Sequence, residues 1–528
     1  MAEILLINPN TGSWDLMSLR LPESLLAVAS VPVARGYSVR LIDERVTQSF
    51  EADIQAAVGP ETVLVGLTAI TGEQIRHALR ATRLVKRLYP HLPVCWGGVH
   101  ATLMPEQTAE HPLIDYVVVG DGEFVFCELF ERLRDKRPID DLRGLVYRQP
   151  GSEVRSNAGQ LEVTALGPKS YSFVRKNGAV DILNDLDSLP PIPYQLIDLT
   201  RYNVFYTKEK MLQTTLNTSR GCPFRCKFCS DPVINLGRWR GYSAQKVIEK
   251  VRVLHEEHGV GLIYFMDDYF PGSKKRFLEI LEGLARFERR LKWTAMGIRA
   301  DILSKMSEDE LDLLWRSGCH SLEIGIETGN PRVLALVNKG ETIEEMRIAN
   351  QRLARLDIKL KYTIIVGFPG ETEAEMTDTL NFAAELERTN PNAFCLAFPF
   401  MPIIGTPFYD QALAAGFKTP ASLEEWAEMD FIEWRRHYAS WSSAKSIRRI
   451  EAIAFTSYFH NANVREKFAE SPLLRLAFAV YHPVAKWRFD HHYYDFFVEA
   501  ALQKMLLALR KRLAGLKALL TPGRPQGI

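Results

Sequence analysis

At 528 residues, 46% of them hydrophobic and 24% charged, the chain is too long for one ordinary core and too apolar to be disordered, so roughly two to four packed units are expected. A formal charge of +1 provides no overall field to draw nucleic acid, and no nucleic-acid partner is expected. Seven unevenly spaced cysteines do not make a disulfide framework, and the sequence shows no basic leader and no apolar run of bilayer length, which together point to a reducing cytoplasm.

Residues 1–150 alternate short apolar runs (ILLINP, SVRLID, TVLVGLT, LPVCWGG and IDYVVVG) with amphipathic stretches. That rhythm predicts crossover units and a doubly wound parallel sheet, with a ligand crevice beyond the strand ends. Two loops stand at those ends. Thr68 and Thr71 follow the third run, and Gly97, Gly98 and His100 follow the fourth. Glycines there let a backbone approach a bulky ligand. On these residues alone a nucleotide-binding or receiver-like domain is an equal reading.

Residues 151–210 contain DLDSLPPIPYQLIDL, whose prolines disfavour helix and suit an extended linker. From 211 to 420 a second alternation begins, with strand candidates MLQTTLNTS, GLIYFMDD, KWTAMGIRAD, SLEIGIET, KLKYTIIVGFP and NAFCLAFPF. Six strand and helix units predict a partial TIM-like (β/α) barrel with its chemistry at the C-terminal strand ends. The expected fold class is therefore α/β, with a mostly helical region over 421–528.

Just after the first barrel strand stands Cys222-Pro-Phe-Arg-Cys226-Lys-Phe-Cys229. Three thiolates on one loop can hold three irons of a cubane and leave the fourth open. A zinc site completed by a histidine, or simply buried thiols, is the alternative, although no second ligand pair lies nearby in sequence. Cys95, Cys127, Cys319 and Cys395 read as small buried hydrophobes.

The cysteine spacing, its strand context and the adjacent Phe228 resemble the radical S-adenosylmethionine superfamily. The Gly97-Gly98-Val-His100 loop, with the segment that runs on to Glu123, resembles the N-terminal domain of its cobalamin-binding members, a group that includes the anaerobic magnesium-protoporphyrin IX monomethyl ester cyclase and radical C-methyltransferases. The resemblance spans nearly all of residues 1–420. It implies a [4Fe-4S] cluster on Cys222, Cys226 and Cys229, with S-adenosylmethionine and cobalamin as further cofactors. It also implies that Phe228 lies against the adenine, Glu327 accepts from the ribose hydroxyls, and Asp267 and Asp268 stand near the methionyl moiety or the substrate. Gly367 and Gly370 read as turn glycines beside a ligand.

For the corrinoid, the resemblance implies contacts from Thr68, Thr71, Gly97, Gly98 and His100, with His100 read more readily as a core histidine, or one supporting the contact residues, than as a ligand to cobalt. The first loop, NPNTGSWDLMSLRLPES, offers no histidine as a lower axial ligand to cobalt. The implied reaction is methylation of an unactivated carbon. One S-adenosylmethionine supplies the methyl group through cobalamin and another supplies the 5'-deoxyadenosyl radical, with electrons from an external donor. Oxidative cyclisation and a non-catalytic corrinoid or iron-sulfur sensor are the competing functions.

The C-terminal region has its own character. Residues 481–497 are dense in aromatics and histidines, which suits either packing or contact with a large hydrophobic substrate such as a lipid or tetrapyrrole. Residues 501–520 combine leucines with Lys504, Arg510, Lys511, Arg512 and Lys517 and contain no carboxylate. Such a helix suits either peripheral contact with the inner face of a membrane or docking on the protein with a solvated basic face.

Overall fold

A computed structural model describes residues 2–12, 19–150, 171–178, 182–202, 211–287, 291–429, 442–468, 472–495 and 499. The N-terminal sheet contains β1 (Ile4–Asn8), β2 (Val39–Asp43), β3 (Leu64–Thr68), β4 (Val94–Gly97), β5 (Tyr116–Val118), β6 (Leu145–Pro150) and β7 (Tyr171–Lys176). Its order is β2-β1-β3-β4-β5-β6-β7. The first five strands run parallel, while β6 and β7 are added antiparallel at one edge. All five residues of β1 and of β3 are buried, as expected of strands covered by helices on both faces. The runs seen in the sequence are continuous rather than alternating for that reason.

The stretch expected to be a free linker is in part built into the molecule. Strand β7 pairs with β6, and residues 182–202 lie between the two halves, with Leu186, Tyr194 and Tyr202 buried. The Tyr202 hydroxyl donates to Asp43 at 2.9 Å, and the Ser243 amide donates to Asp187 at 3.0 Å. The strap takes three short 3-10 turns, Leu186–Ser188, Tyr194–Leu196 and Leu199–Tyr202, rather than the extended course expected from its prolines, and its apolar side chains join the core.

The second half is an open sheet of six parallel strands: β8 (Leu212–Leu216), then β11 (Val260–Phe265), β12 (Lys292–Ile298), β13 (Cys319–Glu327), β14 (Lys359–Val366) and β15 (Ala393–Pro399). Between β8 and β11, the short strands β9 (Ser219–Arg220) and β10 (Arg240–Gly241) pair antiparallel. All six strand candidates of the sequence are present. Along β14 the even positions Leu360, Tyr362, Ile364 and Val366 are fully buried and the odd ones only half-buried, so one face meets the helices and the other lines the barrel interior. Each fully buried aliphatic of this kind contributes roughly 1.5–3 kcal/mol.

One core runs across both halves, joining Leu6, Phe126 and Phe130 to Leu216, Ile263 and Trp293. On the opposite face of the N-terminal sheet the cover comes from beyond the barrel: Tyr409, Phe417, Leu423 and Trp426 pack with Ile75, Leu79 and Trp96. The exposed edge of β15 is covered by helix Ala444–Ser457, whose Ser457 hydroxyl accepts from the Ala397 amide at 3.0 Å. The last long helix, Pro472–His491, then packs outside it. Among the described residues no helix is long and apolar enough to cross a membrane.

Candidate active site

The cysteine loop leaves β8 at the C-terminal end of the barrel sheet and is fixed mainly by backbone bonds. The Lys227 amide donates to the Val337 carbonyl at 2.9 Å, and the Asn338 side chain donates to the Arg225 carbonyl at 2.9 Å. Cys222, Cys226 and Cys229 are free, half-buried thiols. Asp231 connects two of them, accepting from the Cys222 amide at 2.6 Å while its own amide donates to Cys229 Sγ at 3.4 Å.

Burial pushes Cys222 up to about 11 and Cys229 up to about 12. Cys226 is also raised by burial, against the opposing charges of Lys339 and Arg299. Thiols so placed become thiolates readily only when a cation takes the charge. Among the described residues no three His, Cys, Asp or Glu side chains converge to hold a single metal ion. Three thiols on one loop are the donor chemistry of a polynuclear iron-sulfur cluster, whose irons stand at separate corners.

The adjacent carboxylates divide into different tasks. Asp267 is 1% exposed, and its Oδ1 accepts from the Thr218 amide and hydroxyl, both at 2.9 Å, and from the Ser219 hydroxyl at 2.5 Å. It therefore fastens β8 to β11 and does not face the cavity described below. Asp268 does line that cavity, beside Asp231 and Cys229. Burial, and then the neighbouring Asp268 charge, push Asp231 up to about 7.

Glu327, at the end of β13, has the left-handed φ of +59°, a conformation that strains a residue with a side chain and is held here by its surroundings. Its Oε1 accepts from Lys339 Nζ at 3.1 Å, and Lys339 also faces Glu341 at 3.5 Å. Arg299 donates to the Lys339 carbonyl at 2.9 Å and lies 3.6 Å above the Phe224 ring. In the loop after β14, Glu371 turns back and accepts from the amides of Gly367 at 2.6 Å and Phe368 at 3.1 Å. Phe228 packs against Phe368, with ring centres 5.7 Å apart.

Between the two halves lies a cavity of about 790 Å³. Its N-terminal wall is made by Gly66, Thr68, Gly97, Gly98, Val118 and Phe126, and its barrel wall includes Leu216, Cys229, Asp231, Met266 and Asp268. Gly98 has φ +90°, and a Cβ there would meet the Thr68 hydroxyl at 2.5 Å and the Ala69 carbonyl at 2.9 Å. A glycine-lined cradle with apolar walls suits a broad, flat cofactor. The lining includes no histidine among the described residues.

Thr71 and His100, read from the sequence as cofactor contacts, do not line this cavity. The Thr71 hydroxyl and His100 Nδ1 lie 3.0 Å apart, and the fully buried His100 ring meets Trp426 edge-on at 5.5 Å. Burial lowers His100 to about 4, so it is a neutral core residue. The return of the chain from beyond the barrel encloses it. The described members of the aromatic stretch over 481–497 also stay away from the cavity and pack outside the barrel, with Phe489 stacked on His460 at 3.9 Å.

Sequence reasoning missed the bracket that joins the halves. Arg220, two residues before Cys222, pairs with Asp121 at 2.7 Å and with Glu123, while Arg240 pairs with Asp121 and donates to the Leu183 carbonyl at 2.9 Å. Burial raises Asp121, but Arg220 and Arg240 outweigh it and hold the carboxyl below its ordinary range. It also missed Asp231 and Lys339, and gave Glu371 no role of its own. Charged residues in loops, at the ends of elements and in very short strands carry no periodic signal, so their pairing becomes visible only after folding.

The Radical SAM superfamily matches residues 216–383, and the B12 binding domain matches residues 22–130. An uncharacterized methyltransferase of Pyrococcus horikoshii is 29% identical over 463 residues, covering 87% of this chain and 92% of its own length. The anaerobic magnesium-protoporphyrin IX monomethyl ester cyclase of Rubrivivax gelatinosus is 27% identical, covering 72% of this chain and 65% of its own length. The solved structure of the cobalamin-dependent S-adenosylmethionine radical enzyme OxsB, with aqua-cobalamin and S-adenosylmethionine bound, aligns with 97% of this chain and 75% of its own at a TM-score of 0.67 and 18% identity.

Proposed function

Since the chain joins a B12 binding domain to a radical SAM domain and belongs to the cobalamin-binding radical SAM enzymes, we propose that it methylates an unactivated carbon of a hydrophobic small molecule. The observation that carries this reading is the single cavity reaching from the glycine cradle at Gly97 and Gly98 to Cys229 and Asp268. A carbon held there lies between the two cofactor sites. When bound, the cluster with S-adenosylmethionine supplies a hydrogen-abstracting radical, and cobalamin supplies the methyl group.

The chain's own residues bind, orient and exclude water. Cys222, Cys226 and Cys229 hold the cluster, and Asp231 fixes the amide of the first and approaches the sulfur of the last. Phe228, Glu327 and Gly367 border the S-adenosylmethionine site at the barrel rim, and Thr68, Gly97 and Gly98 border the corrinoid. Asp268 faces the space between. Leu216, Met266, Phe126 and Val118 give that space apolar walls, which favour a lipid-like or tetrapyrrole substrate and keep water from reactive carbon. The domain limits that fit this work are a corrinoid unit ahead of the strap at 182–202 and a barrel from 211. Electrons come from an external donor, and the basic segment over 501–520, which lies outside the described residues, contributes contact with an anionic membrane surface.

The test is anaerobic. Reconstituted protein is given cobalamin, a reductant, S-adenosylmethionine labelled in its methyl group, and lipid and pigment extracts of the source cells. The expected result is label in a new carbon-bound methyl, with 5'-deoxyadenosine formed in step. The cyclase relative supports oxidative ring formation as a second reading, and an oxidised, unlabelled product would decide for it. No deoxyadenosine with any extract would point to a sensor.

A further inference from the structure

The C-terminal helix Pro472–His491 has one face that the cavity chemistry does not use. Phe478, Ala485, Arg488 and Phe489 are buried on its inner side. Outward stand Leu476 at 62% exposure, Val480 at 69%, Val484 at 45% and Trp487 at 49%. At 3.6 residues per turn these four fall within a sector of about 80°. At the end of the stripe the Trp487 ring lies 5.5 Å from Tyr493, itself 43% exposed, and is stacked on His491 at 4.9 Å. On the adjoining flank Lys486 and Asp490 pair at 2.9 Å, and Arg488, beside the Tyr493 ring, pairs with Glu499 at 3.0 Å. A row of large apolar side chains left in solvent marks an interaction surface.

We propose that this stripe is the apolar part of a membrane-contact surface, seated at the headgroup boundary of an anionic bilayer. It deepens the membrane reading given above for residues 501–520 and rests on it. Two features select a bilayer over another folded protein. The stripe ends in a tryptophan and a tyrosine, whose amphipathic rings favour the membrane-water boundary. The chain then continues into Lys504, Arg510, Lys511, Arg512 and Lys517 with no carboxylate between 501 and 520, a charge complementary to anionic headgroups. Basic residues alone would give a weak, salt-sensitive association; the stripe adds an apolar component that salt does not screen.

The experiment compares three full-length holoproteins by sedimentation with phosphatidylglycerol-containing and pure phosphatidylcholine vesicles. They are the parent, the stripe variant Val480→Asp with Val484→Asp, and the tail variant Arg510→Gln, Lys511→Gln and Arg512→Gln. Both substituted stripe positions are exposed, and an unchanged melting temperature and iron content establish that the variant is folded. The parent is expected to bind the anionic vesicles. The stripe variant should bind on the order of tenfold more weakly even at low salt, while the tail variant should retain a weaker association with little salt dependence. Quenching of Trp487 by brominated lipid, lost in Trp487→Phe, should accompany binding of the parent. If the stripe variant binds like the parent, the stripe proposal fails and the tail reading stands. If the parent binds neither vesicle, both fail. If the parent self-associates without vesicles and the stripe variant does not, a second copy of the chain covers the stripe and the proposal is overturned.

Discussion

Asp267 and Asp268 are neighbours in sequence with opposite fates, and only the fold separates them. Asp267 is enclosed, with three donors on Oδ1 and no hydrogen-bond partner for Oδ2. Burial raises its pKa from 3.8 to about 7, against the lowering effect of those bonds. The folded protein therefore binds more protons at this site than the unfolded chain between those values. Its stability contribution must fall as pH rises through that window, by up to roughly 1.4 kcal/mol per pH unit. Asp267→Asn keeps the acceptor and removes the charge, so its melting temperature should lose that component of pH dependence between pH 4 and 7. Asp267→Ala removes the acceptor that Thr218 and Ser219 share and should cost about 2–3 kcal/mol in thermal or urea unfolding. An unaltered pH profile in the asparagine variant would show that the carboxyl is ionised throughout. The cysteines give a second residue-scale test. Cys222→Ala, Cys226→Ala or Cys229→Ala should each lose iron and labile sulfide and abolish reductive cleavage of S-adenosylmethionine. Cys319→Ala, at the start of β13 and 4% exposed, should leave iron content unchanged. Zinc in place of iron after anaerobic reconstitution would remove the mechanism's basis.

Elements were legible to the extent that their burial is periodic or continuous. The apolar runs of β1 and β3 and the alternation of β14 follow directly from burial on two faces or one, and all five N-terminal and six barrel strand candidates are present. Strands β6 and β7 were hidden because an antiparallel edge added after five parallel strands has no distinct signature, and its second strand lies within a stretch that reads as a linker. Which reading of His100 the fold favours was not legible, because Trp426, more than three hundred residues later, closes over it. The Asp121, Glu123, Arg220 and Arg240 bracket was invisible for the same reason, since its halves come from segments about a hundred residues apart in the chain. It can be tested as an element. Glu123 has a side chain only 4% exposed, and Arg220→Ala would leave it buried without its partner, so we expect a loss of about 3 kcal/mol. Corrinoid retention should fall with it, because both residues also line the cavity. Arg220→Met combined with Glu123→Leu should recover much of the lost melting temperature, since a buried pair replaced by apolar groups of similar volume is often close to neutral. Failure of the double variant to recover would mean that the bracket sets the fit of the two halves through geometry rather than charge.

At the scale of the whole molecule, the two proposed cofactor sites are separate in origin and joined in space. The cysteine loop is held by Val337, Asn338 and Asp231, all within the barrel half, whereas the glycine cradle is held by β3, β4 and their loops. One site should therefore fail without the other. Gly98→Ala is the most direct probe. Its φ of +90° strains any side chain by about 1–3 kcal/mol, and the new methyl would press on Thr68 and the Ala69 carbonyl, moving the cradle floor. Corrinoid bound per chain should drop on the order of tenfold, while iron, labile sulfide and reductive cleavage of S-adenosylmethionine stay at the parent level, because the hydrogen bonds that fix the cysteine loop come from Val337, Asn338 and Asp231 rather than from Gly98. Methyl transfer should disappear while deoxyadenosine continues to form, which separates the radical step from the transfer step in one protein. Retained cobalamin would show that the cradle is not its seat. Loss of cobalamin together with iron would show that the shared core makes the two halves one cooperative unit, and the functional division would then have to be drawn elsewhere.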